Sequence, residues 1–250
     1  GEIILEKLGI KAKKPDLARW EEINKILKKP EGEVKIGIVG KYVDLKESYK
    51  SLTEALIHGG IGNNVKVMFH WIDAEELENG NGMKQLVVCD GVLVPGGFGE
   101  RGINGKIESI KFARQKNIPF FGICLGLQCA IIDFSRHVCK WKGANSTEFQ
   151  KECKSPVIDL MHGQRKVKSK GATMRLGSYP CRVKGKTRAY KAYGRSNINE
   201  RHRHRYEVNN KYRNRLEDKG LIICGENLDL NLVEMIEIKN HPWFVGVQFH

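Results

Sequence analysis

The pentapeptide at residues 122–126 constrains the fold of this chain more than any other stretch. It ends an apolar run, places Cys124 between Gly122 and Gly126, and precedes an apolar, helix-compatible segment from Leu127 to Phe134. Small residues two positions before and two positions after the cysteine permit strained backbone angles and close packing. The pattern therefore predicts a strand, a sharp turn with a cysteine at its apex, and a helix, which is the cysteine form of a nucleophile elbow.

The position of Cys124 in this turn makes it a candidate nucleophile. The apex lies at the N-terminus of the following helix, where the helix dipole favours a thiolate, the reactive form of cysteine. The alternative is a buried structural cysteine beside a strand, because Gly-x-Cys-x-Gly also occurs by chance. Any catalytic partners must come from elsewhere in the chain.

A second glycine-dense loop follows the apolar segment at residues 91–94. Its glycines let backbone N–H groups converge on a ligand, so the loop is a second oxyanion donor for Cys124, a cradle for a phosphate or a flexible surface turn. These glycines are Gly96, Gly97, Gly99 and Gly102. Because both loops follow strands, we expect both at the carboxyl edge of a sheet, where ligands bind in open α/β folds.

The alternation of strands and helices up to about residue 140 predicts the fold class. We expect an α/β domain with an open, mostly parallel central sheet flanked by helices and, later in the chain, a small antiparallel β subregion. Residues 1–33 are interpreted as a linker or lead-in helix from a missing upstream domain, and residues 34–250 as the main domain. Lys41 does not belong to a phosphate loop, because Tyr42 follows it where Ser or Thr is required.

Composition limits the classes of function. The 43 Lys and Arg against 29 Asp and Glu give a net charge of +14, which suggests polyanionic partners or a solvated basic surface. The charge is spread along the chain without regular aromatic interleaving, which weakens a nucleic-acid interpretation. Seven cysteines without a C-x-x-C pair argue against a zinc site or a disulfide framework and indicate the reducing cytoplasm. No apolar run approaches roughly 18 residues, so no membrane span is expected.

Residues 200–209 form the densest cationic run. In a strand, alternate side chains face one way, so the basic face would suit a carboxylate or a phosphate unless it is a solvated edge. The two predicted sets are Arg201, Arg203 and Arg205 and, on the other face, His202, His204 and Tyr206.

Two further polar residues have ambiguous positions. Glu148 lies in a polar loop and is by default a surface residue. His250 follows a final apolar strand and is either a core or edge residue or the general base for Cys124.

Taken together, these motifs resemble the C-terminal glutaminase domain of the CTP synthase family, a class I (triad) glutamine amidotransferase. The resemblance covers nearly the whole chain, and the His-Arg-His-Arg run distinguishes it from sister amidotransferases. The segments that carry it are residues 95–99, 122–128, 145–149, 173–177, 200–209 and 240–244.

The resemblance implies roles for individual residues. Cys124 would attack the side-chain amide carbon of L-glutamine, backbone N–H groups of Gly97 and Leu125 would form the oxyanion hole, and His250 would shuttle the proton. Arg205 would pair with the α-carboxylate and Glu148 with the α-ammonium. The glutamine-binding set implied by the family pattern is Gly97, Leu125, Gly126, Leu127, Gln128, Glu148 and Arg205.

The sequence departs from the family pattern at its end. The family triad closes with a glutamate two residues after the histidine, whereas this sequence stops at His250. We therefore expect the C-terminal end of the domain to be incomplete, and a chain that ended there to have poor activity because nothing would fix the His250 tautomer.

The family also implies partners that this sequence does not contain. No cofactor or metal is expected in this domain; ATP, Mg and UTP belong to an N-terminal synthase domain of the same chain, and GTP is an allosteric activator. Phe98 and Arg101 are candidates for GTP-linked gating. The expected assembly is a cytoplasmic homo-oligomer, tetrameric by family resemblance, with no nucleic-acid or membrane partner.

Two alternatives remain beside glutamine hydrolysis for CTP synthesis. One is another class I glutamine amidotransferase, such as GMP synthase, or a γ-glutamyl hydrolase with the same elbow, against which the run at residues 200–209 argues. The other is a basic nucleic-acid-binding or scaffolding module in which Cys124 is inert.

Overall fold

The apolar segments of the sequence pair into one nine-stranded sheet and a separate three-stranded sheet. The computed structural model describes residues 2–41, 43, 45–160 and 174–250; Thr173 and the basic, turn-rich segment at residues 162–170 lie outside them. In chain order the strands are β1 (Gly32–Gly40), β2 (Val65–Asp73), β3 (Gly91–Val94), β4 (Phe120–Ile123), β5 (Ala144–Ser146), β6 (Ser155–Leu160), β7 (Arg175–Val183), β8 (Asn197–His204), β9 (Tyr206–Val208), β10 (Leu221–Asn227), β11 (Leu232–Ile238) and β12 (Phe244–Val247).

The centre of the large sheet is parallel. Its strand order is β2-β1-β3-β4-β12-β11-β10-β7-β8. Neighbours from β1 to β12 run parallel, and those from β12 to β8 run antiparallel. The small sheet has the order β5-β6-β9. The expected α/β class is confirmed, although most of the antiparallel region continues the central sheet.

Two apolar cores contain buried side chains of the large sheet. Successive side chains of a strand point to opposite faces of the sheet. Phe120 and Phe244 therefore belong to one core, and Val245 and Val247 belong to the other. The helices are α1 (Glu2–Lys7), α2 (Ala18–Lys28), α3 (Lys50–Gly62), α4 (Ala74–Glu78), α5 (Met83–Val87), α6 (Ile103–Lys116), α7 (Leu125–Asp133), α8 (Arg188–Tyr193) and α9 (Arg213–Glu217). Helices α6 and α7 pack in the larger core and contact β3 and β4.

The register of the parallel strands determines where the functional loops lie. Val94 is paired with Gly122, and Ile123 is paired with Val247. The chain therefore leaves β3, β4 and β12 at the same sheet edge, at Pro95, Cys124 and Gln248. Both predicted loops lie at the carboxyl edge, as expected.

The predicted alternation of residues 200–206 is wrong at its end. Arg201 and Arg203 are exposed while His202 and His204 are buried, as expected. Strand β8 ends at His204, however, and β9 begins at Tyr206 in the other sheet. Arg205 lies at this corner, so it does not continue the face of Arg201 and Arg203.

The chain divides into two compact units. The first comprises residues 1–34 and 49–67 and contains α1, α2 and α3; the second comprises residues 35–48 and 68–250 and contains all the candidate site residues. Among the residues that the structure describes, no helix is both long enough and apolar enough to span a bilayer.

Candidate active site

The turn between β4 and α7 holds Cys124 in a strained conformation. Its backbone angles are φ 51° and ψ −99°, and its N–H donates to the carbonyl of Val247 at 2.7 Å. A positive φ is unusual for a non-glycine residue and marks a position that its surroundings force. The neighbouring chains come too close for side chains, because a β-carbon on Gly126 would lie 2.2 Å from the Val94 carbonyl oxygen and one on Gly122 would lie 2.7 Å from Gly126.

Burial, rather than the helix terminus, controls the protonation of Cys124. The residue is only 4% exposed, and burial raises the pKa of its thiol to about 12. Hydrogen bonds from the Leu125 N–H and the Gln248 side chain lower that pKa, while the charges of Glu207 and Glu148 raise it. The Leu125 N–H at the helix terminus thus favours the thiolate, as expected, but burial outweighs it and the resting residue is a neutral thiol. A proton acceptor is needed before the sulfur can attack.

His250 supplies an imidazole beside this turn. A β-carbon on Gly96 would lie 2.7 Å from His250 Cε1 and 3.7 Å from Cys124 Cβ, so both residues border the same glycine. The backbone N–H of His250 donates to the carbonyl of Arg201 at 2.8 Å.

The surroundings of His250 favour its neutral form. Partial burial lowers the pKa of His250, and electrostatic interactions with His204, Arg201 and Arg203 lower it further, against a hydrogen bond with the Arg203 backbone. The imidazole is therefore neutral near pH 7 and able to accept a proton.

The glycine-rich loop after β3 is fixed by two ionic side chains. The Lys41 ammonium donates to the Phe98 carbonyl at 2.7 Å, and the Gly99 N–H donates to Glu148 Oε1 at 2.9 Å. Gly97 is exposed, and Phe98 is 79% exposed. Arg101 is exposed and pairs with Glu75 at 2.7 Å.

Glu148 interacts electrostatically with Arg205 and with Cys124. Burial raises the pKa of the Glu148 carboxyl, whereas the Gly99 N–H and the charges of Lys41 and Arg205 lower it. The charge of Glu148 in turn raises the pKa of the Cys124 thiol. The interpretation of Glu148 as a default surface residue is therefore wrong, since it is half-buried.

The remaining predicted residues lie inside the fold. Gly126 and Leu127 are buried, so the Leu127 side chain belongs to the core. Gln128 is 3% exposed, and its amide nitrogen donates to the Tyr206 carbonyl at 3.0 Å and to Gln248 Oε1 at 3.3 Å.

Two residues of the site were missed by sequence reasoning. Gln248 contacts the sulfur, and Lys41 holds the loop. Gly96 was predicted only as part of the glycine-dense loop, and it lies between the histidine and the elbow. The failed phosphate-loop pattern assigns no role to Lys41, and only its position directly after β1 indicates the sheet edge. Within the described ranges, no three His, Cys, Asp or Glu side chains are grouped as metal ligands would be.

The model of the class-I glutamine amidotransferase family matches residues 44–250. The chain belongs to this family. The "CTP synthase" of Symbiobacterium thermophilum is 53% identical over 253 residues, covering 100% of this chain and 47% of the relative. That of Clostridium acetobutylicum is 52% identical over 248 residues, covering 99% of this chain and 46% of the relative. The chain thus spans about half the length of the curated relatives that it matches.

Solved structures agree with the family assignment. The glutaminase domain of Trypanosoma brucei CTPS, solved with bound acivicin, has a TM-score of 0.80 and 39% identity, covering 87% of this chain and 85% of that one. A glutamine amidotransferase from Thermotoga maritima has a TM-score of 0.52 at 12% identity, covering 87% of this chain and 75% of that one, and shares the fold. The resemblance to the glutaminase domain of CTP synthases is confirmed.

Proposed function

We propose that this chain is the glutaminase part of a CTP synthase and hydrolyses L-glutamine through a thioester on Cys124. The observation that carries the proposal is the convergence of Cys124 and His250 on Gly96 at the carboxyl edge of the sheet. The family assignment and the similarity to a CTPS glutaminase domain support it.

In the first step the proton of Cys124 passes to the neutral imidazole of His250, and the sulfur attacks the side-chain amide carbon of glutamine. The negative oxygen of the tetrahedral intermediate accepts hydrogen bonds from the N–H groups of Gly97 and Leu125. Donors of this kind are worth about 2.7–4 kcal/mol each in acyl-transfer sites. The imidazolium then protonates the departing amide nitrogen, which leaves as ammonia.

In the second step water attacks the glutamyl thioester. His250 accepts a proton from that water, the carbon–sulfur bond breaks, and glutamate leaves while Cys124 regains its proton. The net reaction converts glutamine and water into glutamate and ammonia.

Substrate selection is assigned to a charge at each end of free glutamine. Arg205 binds the α-carboxylate and Glu148 the α-ammonium, which excludes a glutamine within a peptide because it has neither charge. The charge of Arg205 lowers the pKa of the Glu148 carboxyl, which supports their proximity. Backbone groups of Gly126 and Leu127 complete the pocket, and Gln128 lies beneath it.

The whole protein would contain a synthase domain N-terminal to this one. That domain binds ATP, Mg and UTP and uses the ammonia to make CTP. Residues 1–33 are the lead-in from it, supported by exposed apolar side chains at Ile3, Ile4, Leu8 and Trp20 that suit a covered surface. GTP activates the glutaminase through the loop that contains Phe98 and Arg101, whose exposed side chains support this role.

Two further features are proposed by resemblance. The protein assembles as a homo-oligomer, a tetramer by family pattern. Its seven cysteines are all free, which supports a reducing, cytoplasmic setting.

A Cys124→Ala substitution in the full-length protein tests the proposal. Glutamine-dependent formation of CTP should be abolished while free ammonia still supports it. Cys153→Ala, which removes a half-buried cysteine without a proposed role, is the matched control and should keep both activities. Loss of both activities in Cys124→Ala would contradict the assignment.

A further inference from the structure

Gln248 is the first residue after β12 and is fully buried beside the elbow. Its backbone N–H donates to the Glu234 carbonyl at 2.8 Å, which fixes the start of its side chain. The side chain then reaches Cys124, with Nε2 placed 3.5 Å from Sγ. A buried amide thus contacts the sulfur that is proposed to react.

The direction of this hydrogen bond follows from a carbonyl that can only accept. Gln128 Nε2 lies 3.0 Å from the Tyr206 carbonyl oxygen, so the nitrogen of that amide must face Tyr206. The same nitrogen has a second hydrogen, which it donates to Gln248 Oε1 at 3.3 Å. With its oxygen facing Gln128, Gln248 turns its nitrogen toward Cys124. Assigning amide orientation from the network in this way requires no observed hydrogens.

We propose that Gln248 is a catalytic residue that donates a hydrogen bond to the Cys124 thiolate, and that Gln128 is the positioning residue that keeps this donor turned toward the sulfur. The inference rests on the proposed function, because it concerns the same nucleophile.

The need for such a donor follows from the burial of the sulfur. A thiolate that forms out of contact with water requires hydrogen-bond donors from the protein, since an unpaired buried charge is costly. The described donors to Sγ are the Leu125 N–H and Gln248 Nε2. The Leu125 N–H is also assigned to the substrate oxyanion, which leaves Gln248 as the donor dedicated to sulfur. Both donors oppose the effect of burial on the pKa of Cys124.

The assignment also changes the role of Gln128. Both hydrogens of its amide nitrogen are committed to Tyr206 and Gln248. Gln128 therefore influences Cys124 indirectly: it holds the Gln248 amide in the orientation that donates to the sulfur.

The test compares the alkylation of Cys124 in the full-length protein and its variants. Iodoacetamide is the probe, and peptide mass spectrometry at Cys124 separates its labelling from that of the other cysteines. Below the pKa the rate follows the thiolate fraction. We expect Gln248→Met, which keeps the side-chain length and removes the donor, to lower this rate about tenfold at each such pH.

Two companion variants sharpen the comparison. Gln128→Met leaves Gln248 in place but frees its orientation, so its rate should fall between those of the parent and Gln248→Met. Gln85→Met is the matched control. The Gln85 amide donates to Glu76 at 3.2 Å and is not part of the site, so the alkylation rate of this variant should equal the parent's. A parent-like rate in Gln248→Met, with an unchanged unfolding midpoint, would overturn the inference.

A second variant and a second probe keep the outcomes distinct. If Gln248→Met does not fold, Gln248→Glu preserves the shape and replaces the donor by an accepting carboxylate. Its alkylation rate at alkaline pH should also fall, and a parent-like rate contradicts the inference.

A diazo-ketone analogue of glutamine tests the nucleophile itself. Failure to label Cys124 in the parent rejects the proposed function, whereas a labelled parent with equal alkylation rates rejects only the role of Gln248.

Discussion

The imidazole of His250 lies against the α-carbon of Gly96, closely enough that a β-carbon there would come within 2.7 Å of His250 Cε1 and 3.3 Å of Nδ1. Gly96 is therefore a glycine because of its neighbour: no side chain fits between the loop and the base. The contact joins two residues that are far apart in the sequence.

Gly96→Ala should displace His250 while leaving the core intact. We expect glutamine hydrolysis to fall about a hundredfold, since a displacement of about 1 Å in a catalytic group costs that much. Steady-state glutaminase assays measure the loss. Gly59→Ala, in a helix with open space around it, is the control and should retain full activity. Normal activity in Gly96→Ala would place the imidazole elsewhere during catalysis.

A substitution in the elbow itself should lower the stability of the fold. A β-carbon on Gly126 would lie 2.2 Å from the carbonyl oxygen of Val94, which is a backbone atom and cannot swing away like the end of a flexible side chain. We expect Gly126→Ala to destabilise the fold by more than about 3 kcal/mol, beyond the range of ordinary substitutions. Urea denaturation measures the change, with Gly59→Ala again as the control. A change of less than about 1 kcal/mol would show that the turn relaxes.

Local sequence was sufficient to predict the elbow. The strand before Cys124, the helix after it and the two small residues around it are set by neighbours in the chain, and β4 and α7 have nearly the predicted bounds. The same holds for the glycine loop after β3, because alternating strands and helices place both loops at one edge.

Long-range contacts could not be predicted in this way. Gln248 and Cys124 are 124 positions apart, and nothing in either segment indicates that an amide meets the sulfur. The balance that sets the protonation of Cys124 has a related origin: the helix terminus is a local signal, whereas the burial that outweighs it depends on every element packed around the turn. The position of Arg205 depends on a strand that leaves one sheet for another.

The charge pair proposed for glutamine should affect binding more than chemistry. Glu148→Gln keeps an oxygen for the Gly99 N–H but removes the charge that would meet the α-ammonium. We expect KM for glutamine to rise about 10- to 100-fold, the range for one hydrogen bond to a charged group, with a smaller change in kcat. Steady-state kinetics with glutamine measure KM and kcat, and kinetics with free ammonia are the control.

Arg205→Lys should behave in the same way, because lysine keeps the charge but loses the planar fork that binds a carboxylate through two bonds. In the full-length protein, the rate of CTP formation from free ammonia should be the same in Glu148→Gln, in Arg205→Lys and in the parent. If kcat fell with KM unchanged, neither residue would hold the substrate in its ground state.

The pH dependence of glutamine hydrolysis should follow His250 rather than Cys124. Burial raises the pKa of Cys124 to about 12, so the thiol is neutral throughout the pH range of the assay. Its titration therefore cannot cause the loss of kcat/KM at acid pH. Burial and nearby cations lower the pKa of His250 below its ordinary value of 6.5, so the imidazole becomes charged only as the pH falls below that value. The protonated base cannot accept the thiol proton. We therefore expect kcat/KM to be level near pH 7 and to decline only on the acid side of pH 6.5, with the slope of a single proton. A profile of kcat/KM against pH measures this limb, and His250→Asn should remove it together with most of the activity. A limb centred above the ordinary histidine value would mean that another group accepts the proton.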